Sequence, residues 1–236
     1  MWEKNRISVI LPTYNEKDSI RSVINKFESL GFVDEILVVN NNAVAGTSEE
    51  VKKTSATELF EKTQGYGAAI LRGLREAKGD YVVICEPDAT FEPRDILKLL
   101  AYSDNYDCIL GSRTNREFIW GGANMGWFIR VGNWVLAKTI EVLFNTTNLT
   151  DIGCTFKLIK RPALDKIIEK LEVTGPHAGP EMMMQLFKNK VKTLQIPVNY
   201  YGRIGIGYTS DYWKAFKVGL KMIELIARHR LSLRKG

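Results

Sequence analysis

The sequence predicts an α/β fold, a mostly parallel central sheet with helices on both faces and an amphipathic helix at the C-terminal end. Three observations carry this expectation. Short apolar runs alternate with segments of helical period from Ile7 to Thr114. Polar and charged residues gather where the apolar runs stop, which is where ligands of such sheets sit. A hydrophobic content of 45% over 236 residues is enough for one large core.

The elements follow in order. "RISVILPTYNE" is a strand ending at Pro12 and running into a polar turn. "KDSIRSVINKFESLG" places Ile20, Val23, Ile24 and Phe27 on one helical face and stops at Gly31. "DEILVVNNN" is a second strand. "GTSEEVKKTSA" begins a helix, with Thr47 as its cap and Glu50 three residues later. "GYGAAILRGLREAKG" is a helix closed by Gly79, "DYVVICEPD" a strand, "EPRDILKLLAYS" a helix and "YDCILGSRT" a strand. After Thr114 the alternation loosens. "RVGNWVLAKTIEVLF" and "PEMMMQLFKNK" are helical, "DIGCTFKLIKRPALDKIIEKL" leads from a strand or loop into a helix, and "VKTLQIPVNYYGR" is a strand. "DYWKAFKVGLKMIELIARHRL" is the terminal helix. No linker or internal repeat interrupts the chain. One domain over 1–236 is expected, with a nucleotide-binding half (1–114), an acceptor-facing half (115–209) and the basic helix (210–236).

Several classes are disfavoured. Cys85, Cys108 and Cys154 lack CxxC or zinc spacing and read as reduced core thiols of a cytoplasmic protein. The N-terminal stretch turns polar before a signal h-region forms, and no apolar run reaches the roughly 18 residues of a spanning helix. The sequons at Asn145 and Asn148 therefore read as accidental. "GYGAAILRG" is no dinucleotide fingerprint, because Ile70 stands at the third glycine position, and there is no phosphate loop of the Walker type. His177 and His229, the only histidines, lie far apart, which leaves little for a histidine metal cluster or triad. The net charge of +6 and pI near 9.1 come without a nucleic-acid-binding motif, so no nucleic-acid partner is expected.

The most informative stretch is "YVVICEPDATFEP". A buried strand ends on Cys85, and Glu86 and Asp88 follow. One buried charge costs solvation and two repel. A divalent cation with a taste for hard oxygen ligands, magnesium or manganese, would compensate both.

"ISVILPTYNE", "ILVVNNNAVAGT", "GYGAAILRGLREAKGDYVVICEPDATFEP" and "ILGSRT", in this order, resemble family 2 glycosyltransferases of the GT-A fold. "RVGNWVLAK", "TDIGCTFKLIKR" and "IPVNYYGRIG" extend the likeness over nearly the whole chain, toward the branch of dolichyl-phosphate mannosyltransferase and polyprenyl-phosphate glycosyltransferases. The resemblance implies inverting, metal-dependent transfer of a sugar from a UDP-sugar or GDP-sugar to a polyprenyl phosphate. The alternatives are a glycan or soluble hydroxyl acceptor, and a nucleotide-binding homologue without turnover. Glu86 and Asp88 stand where the family has D-x-D, so the likeness implies that they hold Mn2+ or Mg2+, with Thr90 at a further metal-shell position. Pro12, Tyr14 and Glu16 match the loop that touches base and ribose. Asn40 stands where the family commonly has an aspartate, and Gln64 and Gly65 begin a segment that lines the nucleotide. Arg113, Arg130 and Arg203 match arginines that face phosphates. Gly207 and Tyr208 replace a serine–lysine pair. Asp151 and Glu181 are the acceptor-side candidates, Asp151 for orienting the acceptor site, while Glu181 reads equally as an acid at a helix start; a lipid phosphate is already ionised and needs no base.

In the terminal helix, Trp213, Phe216, Leu220, Ile223 and Ala227 form one stripe and Lys214, Lys217, Lys221, Glu224 and Arg228 another. The helix is read either as lying on the cytosolic surface of a membrane or as packing against the core. Peripheral membrane contact is expected, and a homo-oligomer or membrane-protein partner is compatible with the sequence.

Overall fold

The computed structural model describes residues 1–123, 126–204 and 212–232, with side chains of the last helix described from 218 to 231. The strands are β1 (Ile7–Thr13), β2 (Glu35–Asn40), β3 (Thr57–Phe60), β4 (Tyr81–Ile84), β5 (Cys108–Ser112), β6 (Lys157–Lys160) and β7 (Thr193–Pro197). They form one sheet in the order β3-β2-β1-β4-β6-β5-β7. All neighbours are parallel except β6, which runs antiparallel to both β4 and β5. β1 lies centrally and every one of its residues is buried, which is why "ISVILPT" is nearly continuous in apolar character. β6, from the second half of the chain, fills the gap between two strands of the first half.

The helices are α1 (Lys17–Glu28), α2 (Thr47–Val51), α3 (Tyr66–Glu76), α4 (Ile96–Leu100), α5 (Trp127–Phe144), α6 (Arg161–Asp165), α7 (Ala178–Lys188) and α8 (Tyr212–Ser232). One face of the sheet packs on Ile20, Ile24 and Phe27 of α1 and on Ile96 and Leu99 of α4. The other packs on Leu74 of α3, Ala137 and Ile140 of α5, Met183 and Leu186 of α7, and Leu225 and Ile226 of α8. Helices on both faces satisfy a sheet that is apolar on both sides.

One expectation is corrected, one strand lies outside the sequence expectation, and the facing of the last helix is decided. Thr47 is the first residue of α2 rather than its cap: Gly46 occupies the cap position, and the Thr47 hydroxyl donates to the carbonyl of Val44. β3 carries no apolar run that would announce it: "TELF" is an edge strand with two of its four residues exposed. In α8 the described part of the apolar stripe faces outward, so it is not the face that packs on the core. Leu220, Ile223 and Ala227 are exposed, whereas Met222, Leu225, Ile226 and His229 are buried. Trp213, Lys214, Phe216 and Lys217 lie outside the described side chains.

The "GYG" at the start of α3 has a packing cause. The carbonyl of Thr174 accepts from the backbone N–H of Gly67 (2.8 Å) and Ala68 (3.1 Å), so a protein carbonyl fills this helix N-terminus. A Cβ at Gly65 or Gly67 would stand 2.2 Å from a carbonyl oxygen of Thr174 or Val173. Close backbone approach, not phosphate binding, requires both glycines.

Candidate active site

The carboxyl ends of β1, β2 and β4 meet at one edge of the sheet. Pro12 is buried there in register with Val39, and Tyr14 beyond it is half exposed. Glu16 turns back on this loop. Its Oε2 accepts from the backbone N–H of Tyr14 (2.7 Å) and Asn15 (2.8 Å) and from the Thr13 hydroxyl (3.2 Å).

After β4 the chain makes a tight turn through Glu86–Thr90, with Ala89 at a left-handed φ of 64°. Asp88 is fully buried, and its Oδ1 accepts from the N–H (2.9 Å) and hydroxyl (2.6 Å) of Thr90. Thr90 thus fixes the carboxylate through both its N–H and its hydroxyl. The segment after β7 returns beside this turn, held by N–H donation from Tyr201 to the Thr90 carbonyl and from Ile204 to the Asp88 carbonyl. Trp120 stacks on Tyr201 at 5.8 Å and steadies the same segment. It carries Arg203 across the acids. One guanidinium nitrogen lies 2.6 Å from Asp88 Oδ2 and 3.0 Å from Glu86 Oε2, and the other lies 3.5 Å from Glu16 Oε1. Burial first, and then the charge of Asp88, push Glu86 up to about 7, against the downward pull of Arg203 and Arg113. Two crowded carboxylates demand positive charge, and Arg203 supplies it.

The end of β2 is a polar knot. Asn40 donates to Glu58 Oε1 (2.8 Å) and the Ser48 hydroxyl (3.2 Å) and accepts from the N–H of Ala43 (2.8 Å). Its amide group is therefore engaged within the protein at the position matched to a nucleotide-contacting aspartate. Asn41, for which the sequence carried no expectation, is buried and ties the end of β2 to the segment 61–65. It donates to the carbonyls of Glu61 and Thr63 and accepts from Gly65 N–H (2.7 Å) and Gln64 Nε2 (3.2 Å). Gln64 also accepts from Asn42. The run of three asparagines was the available signal, since each side-chain amide offers two N–H donors and a carbonyl acceptor at one position.

Arg113 and Asp151 are brought together by the fold. They form a buried, two-pronged pair, Nε to Oδ2 at 2.9 Å and NH2 to Oδ1 at 3.0 Å. Asp151 also accepts from the backbone N–H of Arg113 and Gly153. Burial alone would raise Asp151; the charge of Arg113 and these donors hold it below the usual carboxylate range instead. A Cβ at Gly153 would stand 2.7 Å from the Arg113 guanidinium, so the glycine makes room for the pair. Glu181 is likewise buried, accepting from the N–H of Glu172 and Val173. Arg130 lies apart from the acids, in a groove of about 430 Å³ lined also by Ser112, Thr114, Val131, Trp134 and Thr150. Gly207 and Tyr208 lie outside the described residues.

The donor set fits a divalent cation. Among the described residues no three His, Cys, Asp or Glu side chains converge as a complete cage. Glu86 and Asp88 offer two hard carboxylates, and the buried Oδ2 of Asp88 faces the Arg203 guanidinium at 2.6 Å. Magnesium and manganese are commonly held this way, by one or two carboxylates plus substrate phosphates.

The strand order, with one antiparallel strand beside the acid pair, defines a GT-A architecture, the nucleotide-sugar transferase fold. The chain belongs to glycosyl transferase family 2, whose model matches residues 8–168. Glycosyltransferase AglJ of Haloferax volcanii is 26% identical over 199 residues, 84% of this chain and 63% of its own length. The undecaprenyl-phosphate 4-deoxy-4-formamido-L-arabinose transferase of Aeromonas hydrophila is 24% identical over 174 residues, 69% of this chain and 51% of its own length. The chain thus spans between half and two thirds of these relatives. Glucosyl-3-phosphoglycerate synthase from Mycobacterium tuberculosis, crystallised with Mn2+, UDP-glucose and phosphoglyceric acid, shares the fold with a TM-score of 0.77 at 16% identity, over 96% of this chain and 80% of that one. A crystal of a synthase of the same name with Mg2+ and UDP gives a TM-score of 0.75 at 18% identity, over 96% and 79%.

Proposed function

We propose that the protein transfers a sugar, with inversion, from a nucleoside-diphosphate sugar to a polyprenyl phosphate. The carrying observation is the acid pair Glu86 and Asp88 at the end of β4, with Arg203 laid across both. Pro12, Tyr14, Glu16 and Asn40 border the space for base and ribose, and Asn41 sets the backbone of Gln64 and Gly65 that closes it. A divalent cation bound at Glu86 and Asp88 would offset the charge that grows on the leaving diphosphate. Arg203 would exchange its acid partners for diphosphate oxygens, for which its planar fork is suited. An acceptor phosphate oxygen attacks the anomeric carbon from the face opposite the diphosphate. The bond to the diphosphate oxygen breaks, and the nucleoside diphosphate leaves with the electron pair.

The state of the candidate bases favours a phosphate acceptor. A hydroxyl needs a carboxylate to remove its proton, whereas a lipid phosphate is ionised near neutral pH. Asp151 is closed off by Arg113 and two backbone N–H groups, and Glu181 is tied to backbone donors. The name of the undecaprenyl-phosphate transferase points the same way. Arg130, in its groove beside Ser112 and Thr114, is assigned to the acceptor phosphate.

The test has two stages. Thermal shifts with UDP- and GDP-sugars, with and without Mn2+, identify the donor, since a selective ligand stabilises by mass action. That donor is then offered to polyprenyl phosphates and to soluble hydroxyl acceptors. The expected product partitions into organic solvent and is cleaved by mild acid. Transfer to water-soluble hydroxyls alone would reject the lipid acceptor.

A further inference from the structure

We infer that the outer face of α5 is a lipid-docking surface, which seats the protein on an anionic bilayer with the acceptor groove at headgroup level. This deepens the proposed function and rests on its lipid acceptor. On α5, Trp127, Val131, Trp134, Val135 and Val142 recur at helical spacing along one side, opposite the buried Ala137 and Ile140. All five are exposed: Trp127 is 70%, Trp134 48% and Val142 78% accessible. Scattered exposed apolar residues are ordinary, but a continuous stripe with two tryptophans on one helix marks an interaction surface.

Its charge identifies the occupant. Between 126 and 140 the only charged residues are Arg130 and Lys138. The acid that follows, Glu141, is held by Lys138 (2.7 Å) and the N–H of Leu149 (2.9 Å). α8 packs beside α5 and carries exposed Leu220, Lys221 and Ile223, followed by the exposed Glu224–Arg228 pair. An apolar stripe with tryptophans and a net positive charge, Arg130 and Lys138 against Glu141 on α5, suits a headgroup layer, where indole rings settle at the boundary and lysine and arginine meet anionic lipid. A second copy is a poorer fit, because a two-fold contact sets the same patch against itself and brings like charges together. Among the described residues no helix is long and apolar enough to cross a membrane, so this surface would lie on the bilayer. Val131 and Trp134 also line the groove that holds Arg130, so the docked face opens directly onto it.

The test uses the whole chain and vesicles without polyprenyl phosphate. Co-sedimentation is measured with phosphatidylcholine vesicles containing or lacking phosphatidylglycerol, and tryptophan quenching with brominated lipid. The parent is expected to bind the anionic vesicles and to be quenched. Trp127→Gln combined with Val135→Gln, at exposed positions, is expected to keep the melting temperature and weaken binding by about tenfold or more. Val142→Gln gives an independent variant on the same stripe and is expected to weaken binding in the same direction. Equal binding by parent and variants, or none by the parent at low salt, overturns the inference. So does a dimer in solution that the same substitutions dissociate. Transfer to detergent-dispersed polyprenyl phosphate is assayed separately. Its failure with vesicle binding intact rejects the acceptor and leaves the docking face standing. Transfer without vesicle binding rejects the docking face alone.

Discussion

Arg203 holds one guanidinium nitrogen 2.6 Å from Oδ2 of Asp88, the atom that a catalytic cation would take. The two acids therefore already have a positive partner from the chain itself, and a metal ion must compete with it. Removing the guanidinium should separate two properties that usually fall together. Arg203→Ala is expected to bind Mn2+ alone roughly tenfold more tightly, because two adjacent carboxylates lose a competing cation, while transfer activity falls. Calorimetric titration without nucleotide checks the first and turnover the second. Equal Mn2+ affinity in the two proteins would show that Arg203 and metal do not share these oxygens.

Asp88→Asn should remove metal-dependent donor binding while the fold survives. The amide oxygen can still accept from the N–H of Thr90, but it cannot offer a charged ligand. The expected readout is loss of the Mn2+-dependent thermal shift with nucleotide sugar. A shift unchanged from that of the parent would take Asp88 out of the metal site.

Asn41→Ala tests a residue that composition did not flag. Its side chain joins the end of β2 to residues 61, 63 and 65, and truncation leaves their backbone groups without it. A loss of about 1–3 kcal/mol is expected from unsatisfied buried groups, together with weaker nucleotide binding. Urea melts and UDP titration report the two effects. A stable variant with normal UDP affinity would mean that the loop before α3 is held by other contacts.

The contrast between Asn41 and Glu86 shows what the sequence could convey. Strands β1, β2, β4 and β5 were legible because burial on both faces makes them continuous apolar runs. The acid pair was legible because charge directly after such a run is costly. β3 was hidden because an edge strand needs no such run. The stripe of α8 left two readings open, because helical period shows that a face exists, not which face is covered. The pairing of Arg113 with Asp151 joins residues 38 apart, and no local pattern announces it.

The three thiols should be silent in the native protein. Cys85, Cys108 and Cys154 are buried and unbridged. Burial pushes Cys108 and Cys154 up to about 12, and Cys85 is raised by burial and then by Asp88. The thiolate is the reactive form, so at pH 8 almost none is present. Iodoacetamide is expected to label no cysteine in the folded chain and all three in denaturant, read by mass. Rapid native labelling would contradict this packing.

The Arg113–Asp151 pair should carry a visible share of acid stability. Asp151 has a native value below its ordinary 3.8. Such a depressed carboxylate contributes stability that is complete above about pH 4 and is lost as pH falls through the native value. Asp151→Asn leaves Arg113, which is only 14% exposed, without its counter-charge. Breaking one side of a buried pair typically costs about 3–5 kcal/mol. Two results are therefore expected in urea melts. At pH 7 the variant is less stable by that order, and below pH 4 the gap to the parent narrows, because the parent's own carboxylate becomes protonated. A gap that stays constant down to the lowest pH would assign the loss to shape and not to charge. A variant as stable as the parent at pH 7 would remove the pair from the framework that holds Gly153 and the end of β5 in place.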